Sequence, residues 1–237
     1  MKKEIILVLM MCALITASGC TFSGTGSGKV INQTKNVSGF DQVSLNGIGT
    51  LIISQGNKES LTIEAEDNVI PNINTNINNN KLEISYKPGS PTPTQPVKFH
   101  LTVKNLSSIE VSGAGKIDSK KLNEDQLTIF IDGAGEGNLT NLTAKTLTIT
   151  ISGAGKLKLS GTTDTQTITI NGAGEYSAPS LTTKTTTITI NGAGKATVKV
   201  SDILNAIING GGQIAYFGNP KVNQQINGAG SINRAVN

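Results

Sequence analysis

The chain has 237 residues, 36% of them hydrophobic and 3% aromatic, with no tryptophan. Its formal charge of +4 comes from 20 basic and 16 acidic residues scattered along the chain, so no basic footprint points to a nucleic-acid partner. A lone histidine, His100, rules out a multi-histidine metal centre within one chain, and two cysteines leave little room for a disulfide framework.

Residues 1–19 read as an export signal. Lys2 and Lys3 form a basic start, and Ile5 to Ile15 is an apolar run too short to cross a bilayer as a helix. Ala17-Ser18-Gly19-Cys20 resembles a bacterial lipobox, with Ala17 where that pattern prefers leucine. The resemblance implies lipidation of Cys20 as the first mature residue; ordinary cleavage nearby is the alternative. The acyl chains would hold the protein at a membrane. Thr21, not aspartate, follows the cysteine, which favours the outer membrane in a Gram-negative source. Cleavage removes Lys2, Lys3, Glu4 and Cys12, leaving a net charge of +3 and neither a disulfide nor a cysteine metal site. Residues 20–35 are assigned to the anchor and a flexible tether, since Thr21 to Gly28 is rich in Ser, Gly and Thr. Residues 36–237 are assigned to a single domain.

Five alternating strands are expected next, over 40–45, 50–54, 61–65, 81–86 and 97–103. Asn46-Gly47-Ile48-Gly49 reads as a degenerate corner between the first two. Asn72 to Asn80 reads as turns, and Pro88 to Pro96 as an exposed, mobile loop.

From residue 113 a tripeptide keeps returning. Gly-Ala-Gly starts at Gly113, Gly133, Gly153, Gly172, Gly192 and Gly228 and closes at Gly115, Gly135, Gly155, Gly174, Gly194 and Gly230. Gly210-Gly211-Gly212 is a variant, so Gly210 and Gly212 complete the set of corners. A period near 20 residues means one short unit stacked on copies of itself. Each unit reads as strand, corner, strand and polar return. In Leu147-Thr148-Ile149-Thr150-Ile151 period-two alternation sends isoleucine inward and threonine outward. Such a unit buries its isoleucines only by stacking, with the glycines serving sharp, crowded corners. The fold class expected is all-β, a parallel β-helix or β-solenoid with coils of about 20 residues. A sandwich or barrel of short strands fits the equal spacing less well.

Three ladders follow from in-register stacking. Ser112, Asp132, Ser152, Asn171, Asn191, Asn209 and Asn227 precede the corners, and stacked asparagines bond through their amides. Lys116, Glu136, Lys156, Glu175 and Lys195 follow them with alternating charge. Thr128, Thr148, Thr150, Thr167, Thr169, Thr187 and Thr189 form an outward array, interrupted by Phe130 and Ile207, and are the candidate binding face. Flat Thr-x-Thr arrays resemble those of ice-binding solenoids, yet threonine is also an ordinary exposed strand residue.

No catalytic constellation emerges. His100 reads as an exposed strand residue. Asp132 and Glu136 at one corner, and Glu64, Glu66 and Asp67 on another segment, could serve acid–base chemistry on sugars, but read first as solvated surface or ladder charge. The glycine corners lead into no helix, so they form no nucleotide site, and they lack the aspartate of a calcium-binding nonapeptide. No cofactor and no metal site is expected.

Gly39-Phe40-Asp41-Gln42-Val43, Asn46 to Gly49, Leu51 to Gly56, Lys81-Leu82-Glu83-Ile84, Leu106 to Gly115 and the repeated corners together resemble the head GIN domain family over residues 36–237. That resemblance implies a right-handed β-helix in bacterial surface or secreted proteins, often lipoproteins, described as auto-transporter adhesins. It supplies no catalytic residues. The function expected is a non-enzymatic envelope lipoprotein whose long face binds polysaccharide or a surface protein, or a neighbouring copy of itself. A structural envelope lipoprotein without external ligand is the alternative, and a carbohydrate-active enzyme or an ice-binding solenoid the third.

Overall fold

A computed structural model describes residues 24–236. The expected export signal over 1–19 and the expected lipidation site Cys20 lie outside the described residues.

Alternation along the strands dictates the architecture. Leu147, Ile149 and Ile151 are buried, while Thr148 and Thr150 between them stay partly exposed. The N-terminal half contributes β1 (Val30–Lys35), β2 (Gln42–Gly47), β3 (Thr50–Gln55), β4 (Ser60–Glu66), β5 (Ile73–Asn78), β6 (Lys81–Tyr86) and β7 (Lys98–Val103). The periodic half contributes β8 (Ser108–Gly113), β9 (Lys116–Ser119), β10 (Leu122–Gly133), β11 (Glu136–Gly153), β12 (Lys156–Gly172), β13 (Glu175–Gly192) and β14 (Lys195–Gly210). It ends with β15 (Gln213–Gly218), β16 (Lys221–Asn227) and β17 (Ser231–Arg234). All 17 strands belong to one sheet, with no α-helix among the described residues. The chain folds as a β-solenoid with coils of roughly 20 residues.

Stacking is parallel and in register. Thr148 stands beside Thr167, which stands beside Thr187, and Ile149, Ile168 and Ile188 align inside. The corner column runs Gly47, Gly113, Gly133, Gly153, Gly172, Gly192 and Gly210, so the degenerate corner at Asn46 to Gly49 joins the repeat. The buried side chains form one continuous cluster from Val37 to Ile214.

Each corner needs its two glycines for different reasons. Gly172 has φ +118°, and a Cβ there would sit 2.7 Å from the Gly153 carbonyl oxygen. That carbonyl accepts the Ala173 N–H at 2.9 Å, so a side chain would disturb the corner's own hydrogen-bond ladder. Gly174 has an ordinary backbone, but its Cβ would meet Ile151 Cγ2 at 2.5 Å. The first glycine turns the chain; the second makes room for the isoleucine below.

The apolar interior is broken around Gln166. Leu127, Leu147, Gln166, Thr186 and Leu204 align, and Gln166 and Thr186 are buried. Gln166 Oε1 accepts from the Tyr176 hydroxyl at 2.8 Å, and its Nε2 donates to Thr183 and Thr186 at 3.0 Å each. Burial pushes the Tyr176 phenol far above its usual range. The network is satisfied, and that makes it tolerable inside.

The N-terminal half departs from the sequence expectation in three places. Residues 30–35, assigned to the tether, form β1, which pairs antiparallel with β4. Ser27 Oγ donates to Asp67 at 2.6 Å and the Gly28 N–H to Glu66 at 2.7 Å, so the segment before β1 is docked as well. The segment Asn72 to Asn80 is not a run of turns, since Ile73 to Asn78 form strand β5, antiparallel to β6; only Asn79 and Asn80, at φ 49° and 61°, make the turn. The loop 88–96 is tied down: Glu66 accepts the Thr94 N–H at 2.8 Å, the Thr94 hydroxyl at 2.5 Å and the Gln95 N–H at 3.3 Å. These ties are polar and non-repeating, so no periodicity announces them.

Candidate functional site

The strands leading into the corners present a flat outer face. Its columns are Thr128, Thr148, Thr167, Thr187, Asn205 and Asn223, and beside them Phe130, Thr150, Thr169, Thr189, Ile207 and Gln225. The seven threonines of the candidate face thus lie on neighbouring strands in two columns. None is buried, and Phe130, 40% exposed, separates the threonines of its column from Glu110 in the layer below. Asn205 Nδ2 reaches Thr187 Oγ1 at 3.5 Å; the other six hydroxyls bond to no protein group among the described residues. Across β11 to β14 these columns and the one nearest the corner contain no charged side chain.

That nearest column continues the corner. Asn191 Nδ2 donates to Asn171 Oδ1 at 2.9 Å, Asn209 to Asn191 at 2.8 Å, and Asn227 to Asn209 at 2.8 Å. Ser112, Asp132 and Ser152 occupy the same column below. A parallel ladder stands one column in from the far side, where Asn223 donates to Asn205 at 2.9 Å. Each asparagine amide donates along the stack, so the ladders lock register without adding charge to the layers they join.

The strands leaving the corners carry the opposite character. Lys116, Glu136, Lys156, Glu175 and Lys195 align as successive neighbours. Lys116 and Glu136 close to 2.8 Å, and they are the one pair of this ladder within ion-pair reach among the described residues. Their contact raises the Lys116 ammonium and lowers the Glu136 carboxyl. Both side chains are about half exposed, so the pair guides register more than it stabilises.

A second charge ladder escapes the sequence reading. Asp125 meets Lys145 at 2.8 Å, Asp164 meets Lys184 at 2.7 Å, and Asp202 lies near Lys184. The two aspartate contacts raise both ammonium groups. The signal was present: Asp125, Lys145, Asp164, Lys184 and Asp202 repeat at the glycine spacing with alternating charge, but on the returns and not beside the corner.

Four of the five carboxylates considered for acid–base chemistry are engaged in structural contacts, while Asp132 stands exposed in the corner column. Glu64 bonds Lys98 at 2.7 Å and His100 at 3.2 Å, and both hold its carboxyl below the usual range. Glu66 is buried as the acceptor for the N-terminal loops. Asp67 bonds Ser27 and Lys29, and Glu136 pairs with Lys116. Among the described residues no group of three or more His, Cys, Asp or Glu side chains could hold a metal ion.

Comparison with known proteins places this architecture. The family described as "Putative auto-transporter adhesin, head GIN domain" matches residues 39–220. No curated protein matches the chain. The fold is similar to a crystal structure from Bacteroides fragilis described as a "putative adhesin", with 25% identity and a TM-score of 0.83 over 89% of this chain and 99% of that one. It is also similar to a Parabacteroides distasonis "putative adhesin", at 19% identity and TM-score 0.75 over 90% of this chain and 100% of that one. A third similar structure, from the same organism, is described as a "putative lipid binding protein", at 23% identity and TM-score 0.69 over 90% and 99%.

Proposed function

The chain belongs to the head GIN domain family, and from that premise we propose that it is a non-enzymatic binding protein of the bacterial cell envelope, held by lipid at Cys20, that engages repetitive surface polysaccharide through its flat outer face. One observation carries this reading. Thr148, Thr150, Thr167, Thr169, Thr187 and Thr189 repeat layer upon layer on an uncharged surface, with five of their six hydroxyls unengaged by the protein. Layers recur at about 4.8 Å. A polymer with its own short repeat can therefore meet several identical hydroxyl pairs at once. Each contact is weak, but their linkage multiplies affinity without any new chemistry. The engagement of Glu64, Glu66, Asp67 and Glu136 in structural contacts supports a binding role over hydrolysis.

The test is binding of the protein to a glycan array and to whole cells. Saturable binding that Thr148→Lys/Thr167→Lys/Thr187→Lys abolishes, at unchanged melting temperature, is the expected result. No binding by a folded sample, or binding indifferent to those three lysines, would move the reading to a structural envelope role. Separately, Cys20→Ser should release the protein from membranes; persistent anchoring would remove the lipid from the proposal.

A further inference from the structure

Segments from four layers of the stack meet on one side of the molecule. They are 55–57 at the end of β3, 104–105 after β7, 119–121 where β9 gives way to β10, and 138–140 within β11. Together they line an open groove of ≈ 1180 Å³. Gln55 builds its floor. Its Nε2 donates to the carbonyls of Lys104 and Asn123 at 3.1 Å each and to Glu124 Oε1 at 3.0 Å, while its Oε1 accepts the Asn123 N–H at 2.9 Å. One amide side chain thus ties separate segments together, and the groove is shaped before anything enters it.

The rim supplies the chemistry. Lys104, Lys120 and Lys121 line the groove, all exposed, and none is ion-paired among the described residues. The nearby carboxylates are occupied: Glu124 accepts from Gln55 and from the Leu106 N–H at 2.8 Å, and Asp125 pairs with Lys145. Asp118 is the single carboxylate on the lining. Between the lysines, the side-chain amides of Asn57, Asn105, Asn123 and Asn138 bond to no protein group among the described residues.

We propose that this groove is a second binding site, for an acidic oligosaccharide. Three ammonium groups against one carboxylate select a ligand bearing carboxylate or sulfate. Each unengaged amide offers donors and an acceptor side by side, which suits sugar hydroxyls. Ile52, half-buried in the lining, gives an apolar patch for the C–H face of a ring. The groove crosses four layers, about 14 Å at roughly 4.8 Å per layer, which fits a linear chain of spaced charges better than a single ion. It lies on the segments after the corner strands, away from the threonine face, so it stands or falls independently of that face.

The experiment is calorimetric titration of the protein with tetragalacturonate, a heparin tetrasaccharide, neutral maltotetraose and inorganic sulfate. At least one acidic oligosaccharide should bind saturably, more weakly as salt rises, and maltotetraose about tenfold more weakly or not at all. Lys104→Gln/Lys120→Gln/Lys121→Gln should lower that affinity about tenfold or more at unchanged melting temperature, since these side chains support no contact in the fold. The triple lysine variant of the threonine face should bind the acidic sugars as the unmodified protein does. Absence of binding by either acidic oligosaccharide, equal binding of maltotetraose, sulfate competing as well as the oligosaccharide, or an unchanged affinity in the glutamine variant would each overturn the proposal.

Discussion

In the periodic half Thr167 stands between Thr148 and Thr187, and Gly172 between Gly153 and Gly192. In the N-terminal half β2 lies between β6 and β8, and β3 between β7 and β9, with no partner a copy of the other. The antiparallel strands β1, β4 and β5 lie at this end of the stack. Where the sequence repeats, an error of register would mismatch every layer, so many small identical contacts suffice. Where it does not repeat, a few side chains must each join several segments. Glu66 gathers Gly28, Thr94 and Gln95, and Gln55 gathers segments of the groove. Repetition distributes stability; the irregular end concentrates it.

The sharpest way to break that contrast is to strike the repeat at its most constrained point. Gly172→Val places a β-branched side chain at φ +118°, against the Gly153 carbonyl in the middle of the stack. The substitution should cost about 3 kcal/mol or more, combining backbone strain with overpacking. Thermal unfolding should show a large drop in melting temperature, and an unchanged value would refute the stated reason for the corner glycine. Because neighbouring coils lean on each other, the damage should spread above and below Gly172 and not stay local.

The irregular end should fail differently, through one carboxylate. Hydrogen bonds from Thr94, with those from Gly28 and Gln95, hold the Glu66 carboxyl below its usual 4.5. A depressed folded-state value means the stabilisation is complete above the unfolded value and is lost as pH falls through the folded one. Glu66→Gln puts an amide N–H₂ where N–H and O–H donors already point. The variant should melt below the unmodified protein at neutral pH, and the gap should close in acid below about pH 4.5. Protease cleavage should rise first within 24–29 and 88–96, with the periodic coils intact. An equal gap at every pH would mean that Glu66 acts through its shape and not its charge.

The same contrast explains what could be read from the chain. The corners, the direction of stacking, and the placing of threonine outside and isoleucine inside follow from period alone. The second charge ladder was readable by the same rule, because Asp125 and Lys145 repeat as faithfully as the glycines. The pairing of β1 with β4 was not: Val30 to Lys35 has no periodic counterpart, and its partner lies across a turn and two strands. Gln166 was hidden for a further reason. It occupies a column held by leucine in three other layers, and the hydroxyls of Tyr176, Thr183 and Thr186 together make its amide acceptable there. The groove was invisible because its segments come from layers far apart in sequence, joined only once the stack exists.

The smallest expected effect is also the finest test of the corner. Gly210, Gly211 and Gly212 are adjacent and chemically identical, yet the fold asks three different things of them. At Gly210 φ is +133° and a Cβ would lie 2.6 Å from the Gly192 carbonyl oxygen. At Gly212 the Cβ would lie 2.7 Å from Ile190 Cγ2. At Gly211 it would meet nothing within 4 Å, and the aligned position in the layers below is an exposed alanine. Gly211→Ala should therefore stabilise the protein by about 0.4–1 kcal/mol, because it restricts the unfolded chain and asks nothing new of the folded one. Gly210→Ala and Gly212→Ala should each destabilise it, the first through backbone strain and the second through crowding of the isoleucine column. If all three alanines lowered the melting temperature alike, the corner would be constrained as a whole. A rise at the middle position flanked by two falls would show instead that the repeat fixes the turn and the space beneath it, and leaves the tip of each corner free.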